Sequence, residues 1–467
     1  MSARTIKLGF MYHGVGTGPD QNNTWRNPRV PDDASINIRS FIEWAQRAEA
    51  AKFDFIFIAD TPFVSPDSPP HYLDRLEPLT LLSALAVSTD HLGLVGTLTT
   101  SYNSPYNLAR RVASLDLISN GRAGWNVVAT GDAGASKNFG REEHFGYEER
   151  YPRALEHVRV VQGLWDSYED DAFPKNAETG VFHLPEKQHR LNHRGEHFRV
   201  DGPIAIRRSP QGQPVIFQAG NSSEGRDLGA TIGEGIFCHF SSIEAGQAFS
   251  ADLKGRAVEK GRNPDDVLIL PGVSIVIEDT VELAQERQSE INRLKDFDKE
   301  LSQFGRAFGW HDFTQYDLDA PFPDVARFGE TGHRSFAEAI VKLAAERDFT
   351  LREAVLHVAD VANPFAGSPQ SVADTLTEWF TEGATDGFIL QFDIGSDNFD
   401  RFENEVLPIL RERGLFRDDY ESTTLRGNLG LKIPANRYAS VEILAEGAAG
   451  GSGEQVGELA NGLSRVG

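Results

Sequence analysis

The chain of 467 residues has room for two or three average domains, or for one barrel carrying insertions. Its formal charge of −23, from 69 acidic against 46 basic residues, argues against nucleic acid or an anionic membrane as partner, because phosphate surfaces need a basic footprint. A hydrophobic content of 40% suffices for a large core, while the apolar runs are too short to span a bilayer, so a small soluble substrate is the expected partner.

The first ten residues show no signal-type apolar stretch with a small-residue cleavage site. Cys238 is the only cysteine, which rules out an intramolecular disulfide; both features point to a cytoplasmic protein. Cys238 lies in the apolar run Gly235-Ile-Phe-Cys-His-Phe and reads as a buried structural thiol.

Along the chain, Lys7–Tyr12 reads as a short strand that leads into a polar loop. Ile38, Phe41, Ile42, Ala45 and Ala48 recur at helical spacing, and the β-rich run Phe53–Asp60 follows at once. Pro78 suits a first helical turn, Leu79–Ser88 reads as helix and Leu92–Thr100 as strand. The unit repeats with a helix from Pro105 to Ile118, a turn at Asn120-Gly121 and a strand from Arg122 to Ala129. A longer helix is predicted over about Tyr147–Tyr168, and later strands over Val215–Gln218, Ile236–Phe240, Val267–Ile277 and Phe388–Phe392. About eight strands alternating with helices predict a closed (β/α)8 barrel, since parallel strands need crossovers. Gly14, Gly16 and Gly18 are wrongly spaced for a dinucleotide turn, which weighs against an open doubly wound sheet.

Two stretches break the rhythm, about 170–208 and 292–346. Barrel insertions of this size are expected over the C-terminal face of the strands, as lids. Residues 1–440 are thus expected to form one barrel domain, and the Gly/Ala/Ser-rich 441–467 a flexible tail.

The stretch Gln218-Ala-Gly-Asn-Ser-Ser-Glu-Gly225 follows the apolar run Pro214–Phe217 and opens a helix. Small residues at a helix N-terminus let an anion approach unpaired N–H groups, although a serine N-cap is the commoner use of Ser there. At the strand ends, Asp60, Thr97, Thr99 and Asn126 would converge on one face with groups suited to the edge of a polar heterocycle. His189, His193 and His197 are spaced by four, but Gly195 breaks any helix, so a polar hairpin is expected and no metal site. Neither a Gly-x-Ser-x-Gly elbow nor a Walker loop occurs.

Several long stretches carry a resemblance: Arg111 to Thr130 (RVASLDLISNGRAGWNVVAT), Asn138-Phe-Gly140, Arg150-Tyr151, Leu164 to Ser167, Ser209 to Gly220 (SPQGQPVIFQAG) and Thr424 to Leu431 (TLRGNLGL). Over roughly residues 5–435 the chain resembles the bacterial-luciferase-like flavin monooxygenases, in the branch of nitrilotriacetate monooxygenase component A and dibenzothiophene-sulfone monooxygenase. The resemblance implies a (β/α)8 barrel that binds reduced FMN from a separate NAD(P)H:flavin reductase and uses O2 to oxygenate a small organic substrate. An organosulfur, aminocarboxylate or heterocyclic substrate is open at this point, as are an F420-dependent oxidoreductase and a non-catalytic flavin-binding barrel. It implies a homodimer or homotetramer, and flavin contacts at Asp60, Thr97, Tyr147, Tyr151 and Ser222, with Ser223 and Asn126 as neighbours.

Two departures stand out. Relatives resembling the sulfone monooxygenases carry His where Tyr147 stands, and they place His just before a Trp-Arg pair where this chain has Asn22-Asn23-Thr24 before Trp25-Arg26. The only histidine near that loop is His13; it and the aromatic Trp125 are the candidate catalytic residues.

Overall fold

A computed structural model of the chain describes residues 4–15, 24–26, 28–66, 68–293, 297–325, 334–359, 363–392 and 397–439. Its strands are β1 (Lys7–Met11), β2 (Phe55–Ile58), β3 (Gly93–Thr99), β4 (Ala123–Val128), β5 (His193–Arg194), β6 (Arg199–Val200), β7 (Val215–Ala219), β8 (Gly235–Cys238), β9 (Leu268–Ile277), β10 (Ala366–Gly367) and β11 (Gly387–Phe392). Eight of them, in the order β1-β2-β3-β4-β7-β8-β9-β11, pair in parallel, and β11 returns to β1 to close a (β/α)8 barrel. The barrel-side helices include α1 (Ile38–Ala50), α2 (Pro78–Ala86), α3 (Pro105–Ile118), α4 (Ala135–Asn138), α5 (Tyr147–Trp165), α6 (Ser223–Ile232) and α7 (Ile243–Glu259). Among the described residues, no helix is long and apolar enough to cross a membrane.

The strands are buried on both faces, as parallel strands under a helical layer must be. Their period of two divides the apolar residues into two sets. Phe55, Phe57, Val95, Phe217, Leu270 and Ile389 fill the barrel interior. Phe10, Ile56, Leu94, Trp125, Ile216 and Leu390 face the helices.

The later helices are α8 (Val281–Arg293), α9 (Phe297–Ala307), α10 (Arg334–Arg347), α11 (Leu351–Ala359), α12 (Pro369–Thr381), α13 (Asn398–Arg401), α14 (Leu407–Glu412) and α15 (Leu425–Asn428), and α15 seals the N-terminal end of the barrel. Leu425 and Leu429 of this segment join the interior cluster. A Cβ on Gly93 would collide with Leu425 Cδ1, so the first residue of β3 must be small for the plug to seat. The buried Asp116 carboxylate accepts from Ala123 N at 3.0 Å and Gln211 Nε2 at 2.6 Å, and Arg426 N donates to Gln211 Oε1 at 3.1 Å. Arg426 also pairs through both guanidinium nitrogens with Glu234, which begins the approach to β8. Asp116, Gln211 and Arg426, one from each of the stretches 111–130, 209–220 and 424–431, therefore meet at the end of the barrel away from the strand C-termini.

The two insertions behave differently. Residues 170–208 form a hairpin, β5 with β6, held to α5 by Glu156, whose carboxylate accepts from His193 Nε2 at 2.8 Å and from His197 N and Phe198 N, each at 2.9 Å. His189 instead bonds Glu169, so the three evenly spaced histidines do not share a ligand position. The second insertion builds its own small core from α9, α10 and α11, with Phe304, Phe308, Phe313, Ile340 and Val355 packed together, and it runs on to Ala359, beyond the expected boundary. The tail expected from residue 441 lies outside the described residues.

Candidate active site

A cavity of about 560 Å³ opens at the C-terminal ends of the barrel strands, where (β/α)8 enzymes place their chemistry. Its volume falls in the usual range for a small-molecule site. Helix α6 bounds it on one side. Ser222 is the N-cap of α6, its Oγ accepting from Gly225 N at 3.0 Å, and the same hydroxyl lies 3.3 Å from Tyr151 Oη. Gly220 and Gly225 face each other so closely that a Cβ on either would come 3.0 Å from the other's Cα. The small residues of this junction thus serve a tight strand-to-helix turn as well as an open approach to the helix N-terminus.

Inside the barrel, Asn126 and Thr97 are neighbours on adjacent strands in register, and Asn126 Nδ2 donates to Thr97 Oγ1 at 2.9 Å. Asn126 Oδ1 and Gln218 Oε1 are buried and carry no hydrogen bond. Asn126 faces the cavity, so one acceptor awaits a donor there, whereas Gln218 turns outward between β7 and α6, its Oε1 against Gly229.

Asp60 lies at the rim, 2.7 Å from Arg75 Nη2. Burial lifts its carboxyl to about 6, against the pull of the guanidinium. His13 and His71 line the same cavity with ring centroids 5.9 Å apart. Burial pushes His13 down to about 3 and His71 well below the ordinary imidazole range, with the nearby arginines adding to the effect. Tyr147 donates its hydroxyl to Glu224 Oε2 at 2.7 Å, and burial raises its phenol above the ordinary value. From the second insertion, Arg306, Arg334 and Ser335 reach the lining, and Trp310 Nε1 bonds Asp132 Oδ1 at 3.3 Å on the rim.

Asp60, Thr97, Asn126, Tyr147, Tyr151, Ser222 and His13 are therefore gathered around one cavity. Ser223, by contrast, is exposed and turns toward Arg256 rather than into it. Trp125 must be corrected: it is fully buried among the helices, where its indole donates to Leu98 O at 3.0 Å and packs on Trp165. With Asn126 pointing inward, the period of two sends Trp125 outward, and it has no access to a reacting atom. Thr99 is likewise absent from the lining and bonds Thr130 instead. Residues 170–208 supply no lining residue, so covering the cavity falls to the second insertion alone.

Sequence reasoning missed His71, Arg150, Arg306 and Arg334. His71 sits in a three-residue helical turn, Pro70–Tyr72, and Arg306 on an inserted helix, where no periodicity marks the face that meets the barrel.

A closed (β/α)8 barrel with a polar cavity at its strand C-termini is the architecture of many small-molecule enzymes. Residues 18–386 match the family model described as luciferase-like monooxygenase, and the chain belongs to that family. It is 42% identical over 438 residues to the N-acetyl-S-(2-succino)cysteine monooxygenase of Bacillus subtilis (strain 168), covering 93% of this chain and 99% of that protein. It is 38% identical over 450 residues to nitrilotriacetate monooxygenase component A of Aminobacter aminovorans, covering 93% and 98%. Among solved structures, riboflavin lyase with modified FMN and riboflavin superposes with a TM-score of 0.80 at 31% identity, covering 92% of this chain and 97% of the other. The protein is a flavin-dependent monooxygenase of the luciferase-like type, as the sequence motifs led one to expect.

Proposed function

We propose that the protein is the oxygenase component of a two-component system: it accepts reduced FMN made by a separate NAD(P)H:flavin reductase and inserts one atom of O2 into a small organic substrate. The observation that carries this reading is one cavity that joins an anion-accepting helix terminus to an unpartnered buried acceptor, Asn126 Oδ1. Ser222, Tyr151 and the α6 N-terminus are suited to a phosphate. Asn126 Oδ1 is suited to the N–H edge of a flavin ring, whose plane Met11, Phe57 and Phe237 would pack against. The word "component" in the name of one relative supports a separate reductase.

When bound and reduced, the flavin supplies the electrons that activate O2. The chain's part is to bind, orient and exclude water. Asp60, held by Arg75, and the Asn126–Thr97 pair fix polar edges at the strand ends. The second insertion, latched to the rim through Trp310 and Arg306 on Asp132, closes the cavity against bulk water. His13 and His71 stay neutral near pH 7 and can donate or accept a single hydrogen bond without bringing a mobile proton.

The test supplies a flavin reductase, NAD(P)H, FMN and labelled O2 together with organosulfur, aminocarboxylate and heterocyclic compounds. Incorporation of one labelled oxygen atom per product molecule is expected for at least one class. Cofactor oxidation that yields only hydrogen peroxide, with every compound recovered unchanged, overturns the reading.

A further inference from the structure

Resting on that oxygenase reading, we propose that His13, His71 and Arg306 form a carboxylate subsite, so that the organic substrate carries at least one acidic group. The three side chains are physically continuous. The rings of His13 and His71 lie 5.9 Å apart, His71 and Tyr72 lie 4.3 Å apart, and the Arg306 guanidinium sits 4.9 Å above the Tyr72 ring. All four residues line the cavity.

The polar groups here are incompletely satisfied. His13 and His71 are each 6% exposed, and His71 Nδ1 is buried with no hydrogen bond. Arg306 Nε is buried without one too, its nearest carboxylate oxygen, Asp132 Oδ1, standing 3.5 Å away. An unsatisfied buried donor costs about 1–3 kcal/mol, a cost that an incoming acceptor removes.

The acids nearby leave room for a further acceptor, because each is shared among several donors and Asp132 reaches Arg306 only across 3.5 Å. Asp60 is held by Arg75 at 2.7 Å, and Asp132 accepts from Thr61 Oγ1 at 2.9 Å and from Trp310 Nε1 at 3.3 Å. Burial keeps both imidazoles uncharged, with Arg75 beside both and Arg306 beside His71, so the two rings offer neutral nitrogens next to fixed guanidinium charge. A guanidinium with two neutral N–H donors suits a carboxylate, which accepts through two oxygens. Because Arg306 comes from α9 of the second insertion, the same contact would tie closure of the insertion to the presence of the acid.

The experiment uses the full chain and three probes, succinate, thiodiacetate and iminodiacetate, each beside its dimethyl ester. Binding to the FMN-loaded protein is read by calorimetry, and FMN affinity is read separately by quenching of flavin fluorescence. At least one diacid should bind, its ester about tenfold or more weaker; Arg306→Gln should weaken the diacid about tenfold, Arg306→Lys less, and His71→Phe should also weaken it, all with FMN affinity unchanged. Esters that bind as tightly as acids, no binding of any diacid, or an unchanged diacid affinity in Arg306→Gln overturns the subsite. Failure of the wild-type protein to bind FMN would instead strike the oxygenase reading, so the two failures are told apart.

Discussion

Ser222 caps α6 and faces the cavity with one and the same hydroxyl. Asp caps a helix as well as Ser does, so Ser222→Asp should keep the fold while placing a negative charge where the proposed phosphate would sit. We expect FMN to bind about tenfold or more weakly in this variant, with an unchanged melting temperature; unaltered affinity by fluorescence titration would reduce Ser222 to a cap. A second prediction at this scale concerns pH. His157 is fully buried behind Trp125, and burial lowers its imidazole to about 4, while the denatured chain titrates near 6.5. The native state therefore refuses a proton that the denatured state takes up, so the contribution is complete above pH 6.5 and is lost as pH falls toward 4. At pH 5 the loss from this one residue is about 2 kcal/mol. Asp60 and Asp116, both raised to about 6 by burial, act in the opposite sense, because the native state holds their protons more tightly. The clean measurement is thus a difference: urea denaturation at pH 7 and pH 5 should show a stability loss about 2 kcal/mol smaller in His157→Gln than in the wild type.

Among the elements, α15 and the second insertion stand at opposite ends of the barrel and do different work. The α15 plug is four residues long and owes its place to burial rather than to helix propensity, since so short a helix has no stability of its own. Leu425 is fully buried between the small residues that open β3 and β4. Leu425→Ala should cost about 2–5 kcal/mol, as a cavity in a rigid wall does, and it should leave FMN affinity in the surviving folded protein unchanged, because the plug lies away from the strand C-termini. Equal losses of stability and flavin binding would show that the two ends of the barrel are coupled. The second insertion carries its own apolar cluster, which lets it hold its shape while Trp310, Arg306, Arg334 and Ser335, among the described residues, meet the cavity rim.

Over the whole molecule, the strongly acidic surface and the closed barrel leave the strand ends as the natural place for a small ligand. A flavin that binds the folded state alone must stabilise it: FMN at about 100 times its Kd should add about 2.7 kcal/mol to the unfolding free energy. Thermal or urea unfolding with and without FMN checks this, and an unchanged transition at saturating flavin would argue against the cavity as its site.

Much of this was legible in the amino-acid order. Alternating strand and helix periods, Pro at helix starts and the glycine-rich junction after Phe217 are local signals, because each depends on residues a few positions apart. They were enough to predict the barrel, and the strand-end residues Asp60, Thr97 and Asn126 followed from its geometry. Other features depended on closure. Trp125 and Asn126 are adjacent in sequence, and only the pairing of β4 with β3 decides which of them points inward. His71 and Arg306 lie far apart along the chain on irregular or inserted segments, and they meet because the insertion folds back over the strand ends. The long motifs around Asp116, Gln211 and Arg426 carried the family resemblance in sequence, and only the fold shows that these three side chains lock the plug beneath the barrel. The sequence by itself determined the repeating βα architecture and the anion-ready turn, since local periodicity encodes both. The tertiary structure alone decided which residues share the cavity and which insertion covers it, because that convergence is a property of the closed barrel and not of any stretch of chain.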